Sequence, residues 1–220
     1  MMRVANIRGP LVFRKGAINN EATPAIGIAY LSAYLKAAGH DVVLVDAVAE
    51  GLNEVWPHPD FPDFACQGLT YDETLDRIPD DARVLVFSIM FSGEWPVQRE
   101  LIRAARERFP DALLVAGGEH VSALTEYVLR DCLALDVCVQ GEGERTLLAL
   151  VEAFEQGRSV TDIPGACFLD NEGRFTLAAE QPRIREIDNL PGRIGRTVIW
   201  RNSGTPENPS AHRPNATCRF

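Results

Sequence analysis

Five short apolar runs, each followed by a stretch of helical periodicity or a glycine-bearing turn, constrain this chain more than any other feature. They are Arg3 to Ile7 (R-V-A-N-I), Asp41 to Asp46 (D-V-V-L-V-D), Arg83 to Phe87 (R-V-L-V-F), Ala112 to Ala116 (A-L-L-V-A) and Asp136 to Val139. The unbroken β-branched run D-V-V-L-V-D lacks the polar alternation of a half-exposed strand and reads as a strand buried on both faces. Between the runs, Ile26 to Ala38 carries Ile28, Leu31 and Leu35 at helical spacing, with Gly39 where a helix C-terminus wants it. Pro96 to Phe109 sets Val97, Leu101, Ile102, Ala105 and Phe109 on one side of a helix and arginines on the solvated other. Glu73 to Ile78, Val121 to Arg130 and Glu144 to Glu155 supply three further helices.

Strands alternating with helices five times predict an α/β fold with a doubly wound, flavodoxin-like or Rossmann-like parallel sheet of order 2-1-3-4-5. The crossovers are expected to be right-handed. Ala166 to Leu169 and Arg174 to Leu177 flank Asn171-Glu172-Gly173 and read as a C-terminal hairpin. Residues 8–24 and 51–70 read as loops, the second interrupted by Pro57, Pro59 and Pro62. Beyond Pro191 no amphipathic period survives. The expected organisation is an α/β domain over 1–160, a hairpin and linker over 161–191, and an irregular tail over 192–220.

Composition removes several function classes. With 22 basic against 31 acidic residues the net charge is −9, which argues against nucleic acid or an anionic membrane as partner. No apolar run approaches the length of a membrane span. The five cysteines are widely spaced with no C-x-x-C pair, so neither a disulfide framework nor a zinc site is expected, and the setting reads as cytoplasmic.

Ligands of open parallel sheets bind at the carboxyl ends of the strands, and here those ends hold the chemistry-bearing residues. Ser88, Met90, Phe91, Ser92 and Gly93 follow the third strand. Gly117, Gly118, Glu119 and His120 follow the fourth, and Gly141, Glu142 and Gly143 follow the fifth. Pro24, Ile26 and Gly27 open the first helix. Glycines let a ligand approach the backbone closely, and a helix start offers free N–H groups. Each piece also has a plainer reading. Gly117-Gly118 can simply end a strand, His120 can serve as a loop hydrogen-bonder, Glu144 can complement its helix start, and Cys132 and Cys138 can be small core residues.

In order and spacing these residues resemble the N-terminal cobalamin-binding domain of B12-dependent radical S-adenosylmethionine proteins. Four stretches carry the resemblance: P-A-I-G-I-A-Y-L (24–31) with A-G-H-D-V (38–42), the Ser88 loop, G-G-E-H (117–120) and G-E-G-E-R-T-L (141–147). Ile187 to Pro191 is similar to the join that leads into the radical domain. The resemblance implies cobalamin as cofactor, with its nucleotide tail beside strands 1, 3 and 4. Ser88 would then hydrogen-bond the tail and Gly117-Gly118 would leave room for it. Ser88-x-Met90 matches an S-x-L element with Met for Leu. Under the same resemblance, Trp56, Phe61, Phe64 and Tyr71 either cover the corrin's upper side or only pack a long connection.

Two departures bear on function. The D-x-H-x-x-G pattern, whose His ligates cobalt in the wider fold, is absent from the first loop. Asp46 to Gly51 matches its spacing with Val48 in the His place, but follows strand 2. The C-x-x-x-C-x-x-C motif of a [4Fe–4S] cluster is also absent. The resemblance therefore implies the cobalamin module of an enzyme of methyl transfer or radical rearrangement. The radical S-adenosylmethionine domain would be its partner, in a longer chain or in trans, and would bring the cluster and S-adenosylmethionine. The alternative is a nucleotide- or sugar-nucleotide-binding domain of a transferase, although G-x-G-x-x-G is missing. A phospho-receiver is disfavoured by Ser88, which stands where a phosphorylatable Asp is needed.

Overall fold

A computed structural model describes residues 1–17 and 24–182 of the chain. Its main sheet has seven strands in the order β10-β9-β8-β7-β6-β1-β3. Five are parallel: β1 (Arg3–Arg8), β3 (Asp41–Asp46), β6 (Val84–Ser88), β7 (Leu113–Gly117) and β8 (Val137–Val139). In chain order they run 2-1-3-4-5, as the alternation of elements predicts. The hairpin strands β9 (Ala166–Leu169) and β10 (Phe175–Leu177) extend the sheet antiparallel beyond β8.

The apolar runs are unbroken because both faces of the sheet are covered. Leu85, Phe87, Leu114, Ala116 and Cys138 point into one core. That core is filled by α3 (Tyr71–Asp76), α4 (Trp95–Arg108), α5 (Glu119–Ala123) and α6 (Thr125–Asp131). Val84, Val86, Leu113, Val115, Val137 and Val139 point into the other, under α1 (Ile26–Ala37) and α7 (Gly143–Glu155). Successive residues of one strand thus serve opposite cores, the period of two of an extended chain.

Three expectations need correction. Residues 11–14, read as loop, form β2 (Leu11–Arg14). The irregular 51–70 stretch supplies β4 (Val55–Pro57) and β5 (Phe64–Gln67), with the short helix α2 (Ala47–Glu50) before them. The three strands make a second, antiparallel sheet, β2-β5-β4. Their strand character comes from pairing between distant segments, such as Val12 with Cys66, and not from any local period. The helix expected over 121–130 is instead two, α5 and α6. The Thr125 hydroxyl donates to the Val121 carbonyl at 2.7 Å, occupying the acceptor that the next helical N–H would use. Residues 183–220, including the Ile187 to Pro191 join and the tail, lie outside the described residues.

Helix ends follow local chemistry. Thr70 and Glu73 close a capping box at the start of α3, and Pro96 stands in the first turn of α4. Asp46 accepts from the N–H groups of Val48 and Ala49 and so caps α2. The D-x-V-x-x-G stretch that mimics a cobalt-ligating motif is thereby an ordinary helix start.

Candidate functional site

Strand register sets four residues side by side at the carboxyl edge of the sheet. Arg8 pairs with Asp46 across β1 and β3, and Ser88 pairs with Gly117 across β6 and β7. Because Ile7 is opposite Phe87, Arg8 and Ser88 fall in the same row. Alternation aims this row, Asp46-Arg8-Ser88-Gly117, at the face covered by α1 and α7. Arg8 and Asp46 are 3.5 Å apart as a half-buried ion pair. The sequence marks Asp46 only as the start of the D-x-V-x-x-G stretch and Arg8 not at all, since an Arg ending one strand and an Asp ending another become neighbours only through parallel pairing.

The two glycines after β7 differ in what they do. A Cβ built on Gly117 would meet nothing closer than the Val139 Cβ at 3.8 Å, so its side faces room. Gly118 has φ +109°, and a Cβ there would lie 2.4 Å from the Ile89 carbonyl oxygen. The backbone that Gly118 lets close is therefore the protein's own. The Ile89 N–H donates to the Gly117 carbonyl at 2.8 Å, and the His120 N–H donates to the Ile89 carbonyl at 3.3 Å. These bonds tie the β6 and β7 loops together. Of the pair, Gly117 is the one with open space on its Cβ side.

His120 is buried and turned to the opposite face, its ring 5.4 Å from that of Trp95. Its Nδ1 is hydrogen-bonded to the Ser92 hydroxyl at 2.9 Å, a second tie between the two loops. Burial pushes the His120 pKa below its ordinary value, which keeps the imidazole neutral. Trp95, which the sequence did not mark, orients this ring and donates its indole N–H to Asp131.

Around the row, the other expected residues form an open rim. Met90 and Phe91 are 49% and 60% exposed and Ile26 is 56% exposed, large apolar surfaces unusual at one edge of a small domain. Pro24, Gly27, Ser92, Gly93, Glu119, Gly141 and Glu142 are exposed as well. A Cβ on Gly27, Gly93 or Gly141 would meet nothing within 4 Å. The Gly141 N–H donates to the Ser122 hydroxyl at 3.1 Å, which fixes the β8 loop on α5. Gly143 is half-buried, and a Cβ there would press on Leu31 at 3.2 Å, so this glycine lets the starts of α1 and α7 approach.

The aromatics of the 56–71 stretch divide. Trp56 and Tyr71 pack edge to face at 5.4 Å, with the Trp56 indole donating to the Gly68 carbonyl, so they hold the connection. Phe61 and Phe64 cluster about the buried ring of His58 and remain exposed on the outside of the small sheet. Among the described residues, no group of three or more His, Cys, Asp or Glu side chains could hold a metal ion. No helix among them is long and apolar enough to cross a membrane.

The carboxyl edge of the sheet thus gathers open glycines, exposed apolar side chains and a polar row. The family model for the B12 binding domain matches residues 20–151, from the approach to α1 through most of α7. The chain belongs to the B12-binding domain family. Relatives of this B12-binding domain include the anaerobic magnesium-protoporphyrin IX monomethyl ester cyclase of Rubrivivax gelatinosus, 28% identical over 76% of this chain and 28% of that protein. Another is the cytidylyl-2-hydroxyethylphosphonate methyltransferase of Streptomyces wedmorensis, 28% identical over 75% of this chain and 31% of that protein. The chain thus spans about a third or less of the length of these curated relatives. Among solved structures, the radical S-adenosylmethionine methyltransferase TsrM from Kitasatospora setae, with cobalamin and a [4Fe–4S] cluster bound, superposes with a TM-score of 0.62. That match has 17% identity and covers 84% of this chain and 30% of that one. The cobalamin-dependent S-adenosylmethionine radical enzyme OxsB, with aqua-cobalamin and S-adenosylmethionine bound, gives a TM-score of 0.61 at 18% identity. It covers 83% of this chain and 23% of that one. This B12-binding domain therefore shares its fold with part of these two cobalamin-carrying enzymes.

Proposed function

We propose that this B12-binding domain holds cobalamin at the carboxyl edge of its sheet on behalf of a radical S-adenosylmethionine enzyme that transfers a methyl group. The observation that carries the reading is the coincidence of the matched B12 region with the open Ser88-Gly117 row. Bound cobalamin supplies a cobalt centre that can accept a methyl group and pass it on. This chain's own residues bind and orient. Ser88 offers a hydroxyl to the nucleotide tail, and the side of Gly117 leaves the tail room. Met90, Phe91 and Ile26 lie against the flat macrocycle and keep water from it. The Ser92–His120 and Ile89–Gly117 ties hold these loops in place before the ligand arrives, which lowers the ordering cost of binding.

The radical chemistry belongs to a cluster-bearing domain supplied in cis or in trans, as the sequence lacks C-x-x-x-C-x-x-C. Four free, buried cysteines among the described residues support a reducing, cytoplasmic setting. The test is to titrate the purified chain with hydroxocobalamin, then separate bound from free by gel filtration and record the visible spectrum. About one corrinoid carried per chain is expected. A corrinoid that elutes wholly with the small molecules would overturn the reading.

A further inference from the structure

One buried polar atom on the face of the open row is left without a partner. Asn6 stands in the middle of β1 and is 0% exposed. Its Nδ2 donates to the Ser32 hydroxyl on α1 at 2.8 Å, and Ser32 in turn donates to the Ile28 carbonyl at 2.6 Å. Among the described residues, the Asn6 Oδ1 has no hydrogen-bond partner. Turning the amide over does not help. With the Ser32 hydroxyl proton on the Ile28 carbonyl, Ser32 accepts from Asn6, and the amide atom facing it is the nitrogen.

The sheet offers no donor either. The residues that flank Asn6 across the strands are Leu44 and Val86, and Val115 lies beyond Val86. A core position amid valines is where an apolar residue is expected, and an unpaired carbonyl there is costly. Asn6 is two residues below Arg8 on the same face, so at about 3.3 Å per residue it lies roughly 7 Å beneath the Arg8-Ser88-Gly117 row. Its partner Ser32 belongs to α1, which covers this face of the sheet.

From this we infer that Asn6 is a specificity-determining residue at the floor of the tail slot, its Oδ1 accepting a hydrogen bond from a donor on the nucleotide tail of the corrinoid. The assignment rests on the cobalamin reading above. The nucleotide of the tail carries ribose hydroxyl donors that cobinamide lacks, and a buried acceptor fixed by Ser32 would select a corrinoid bearing the complete tail. Ser32 is the positioning residue, since it acts only through Asn6. A site built around a hydrogen bond rejects a ligand that lacks the donor, because the buried acceptor is then left unpaired.

The experiment compares cobalamin with cobinamide, a corrinoid without the nucleotide, on the parent chain and on Asn6→Leu. Affinities are read by visible titration and apo stability by urea unfolding. Asn6→Leu is expected to fold at least as stably as the parent, to bind cobalamin about tenfold more weakly, and to bind cobinamide with parental affinity. Parental affinity of the variant for cobalamin would overturn the inference, and so would an equal loss for both corrinoids. As a measurement independent of the variant's folding, the Asn6 side-chain amide of the ¹⁵N-labelled parent should shift with cobalamin and not with cobinamide. The same shift with both ligands, or none, counts against the assignment. A parent chain that binds neither corrinoid overturns the cobalamin reading itself, which separates that failure from the failure of Asn6.

Discussion

Substituting alanine at Gly118 and at Gly117 should give opposite outcomes, although the two glycines are adjacent. At Gly118 the backbone sits at φ +109°, a region L side chains rarely adopt, and a Cβ would lie 2.4 Å from the Ile89 carbonyl oxygen. The strained conformation alone costs on the order of 1–3 kcal/mol. The carbonyl cannot retreat freely, because the neighbouring Ile89 N–H is bonded to Gly117 and its own oxygen accepts from His120. Overpacking against fixed backbone adds about 1–3 kcal/mol. Gly118→Ala should therefore destabilise the apo domain by about 2–6 kcal/mol, a large part of the ~5–15 kcal/mol available to a domain. At about 2–4 °C per kcal/mol for a domain of this size, that corresponds to a drop in Tm of roughly 4–24 °C. Gly117→Ala meets only Val139 at ordinary contact distance, so its apo stability should stay within about 1 kcal/mol of the parent. Its methyl group enters the opening, so cobalamin affinity should fall about tenfold or more, the equivalent of at least ~1.4 kcal/mol. Urea unfolding of the apo proteins and visible titration with hydroxocobalamin read both effects. A Gly118→Ala protein as stable as the parent would refute the close approach of the two loops. A Gly117→Ala protein with parental affinity would take the ligand away from the Ser88-Gly117 row.

Two further outcomes follow from titrating groups. His120 is neutral and buried, with its pKa held below the ordinary value near 6.5, so as pH falls the unfolded chain takes up a proton that the native chain refuses. Stability should decline from pH 7.5 to 5.5 by more in the parent than in His120→Gln, and equal declines in urea unfolding would contradict this. Burial pushes the thiols of Cys66 and Cys167 up to about 12 and about 11, and raises those of Cys132 and Cys138 as well. At pH 8 an aromatic disulfide reagent should therefore label at most one of the five cysteines quickly in the native chain and all five in denaturant. Two or more fast native thiols would be the contrary result.

The sequence by itself determined the parallel sheet and its strand order, because the signals for both are local. D-V-V-L-V-D and R-V-L-V-F declare strands covered on both faces within a handful of residues, and right-handed crossovers leave few ways to connect them. It also carried the family resemblance, since Ser88, Gly117 and the stretch from Gly141 to Leu147 keep their order along the chain. What only the tertiary structure decided depends on which distant residues meet. The small sheet exists because Leu11–Arg14 pairs with Phe64–Gln67, segments whose own patterns show no strand period. Gly117 and Gly118 look equivalent as letters, yet one faces open space and the other the Ile89 carbonyl. His120 reads as a site residue from its place after G-G-E, but the β7 turn sends its ring toward Trp95 and the far core. Arg8 and Asn6 carry no local signal at all, and the local signal of Asp46 is that of a helix cap. An ion pair between strand ends and an unpaired carbonyl above a row of valines are properties of register, which parallel pairing across some forty to eighty residues sets and no window of sequence contains.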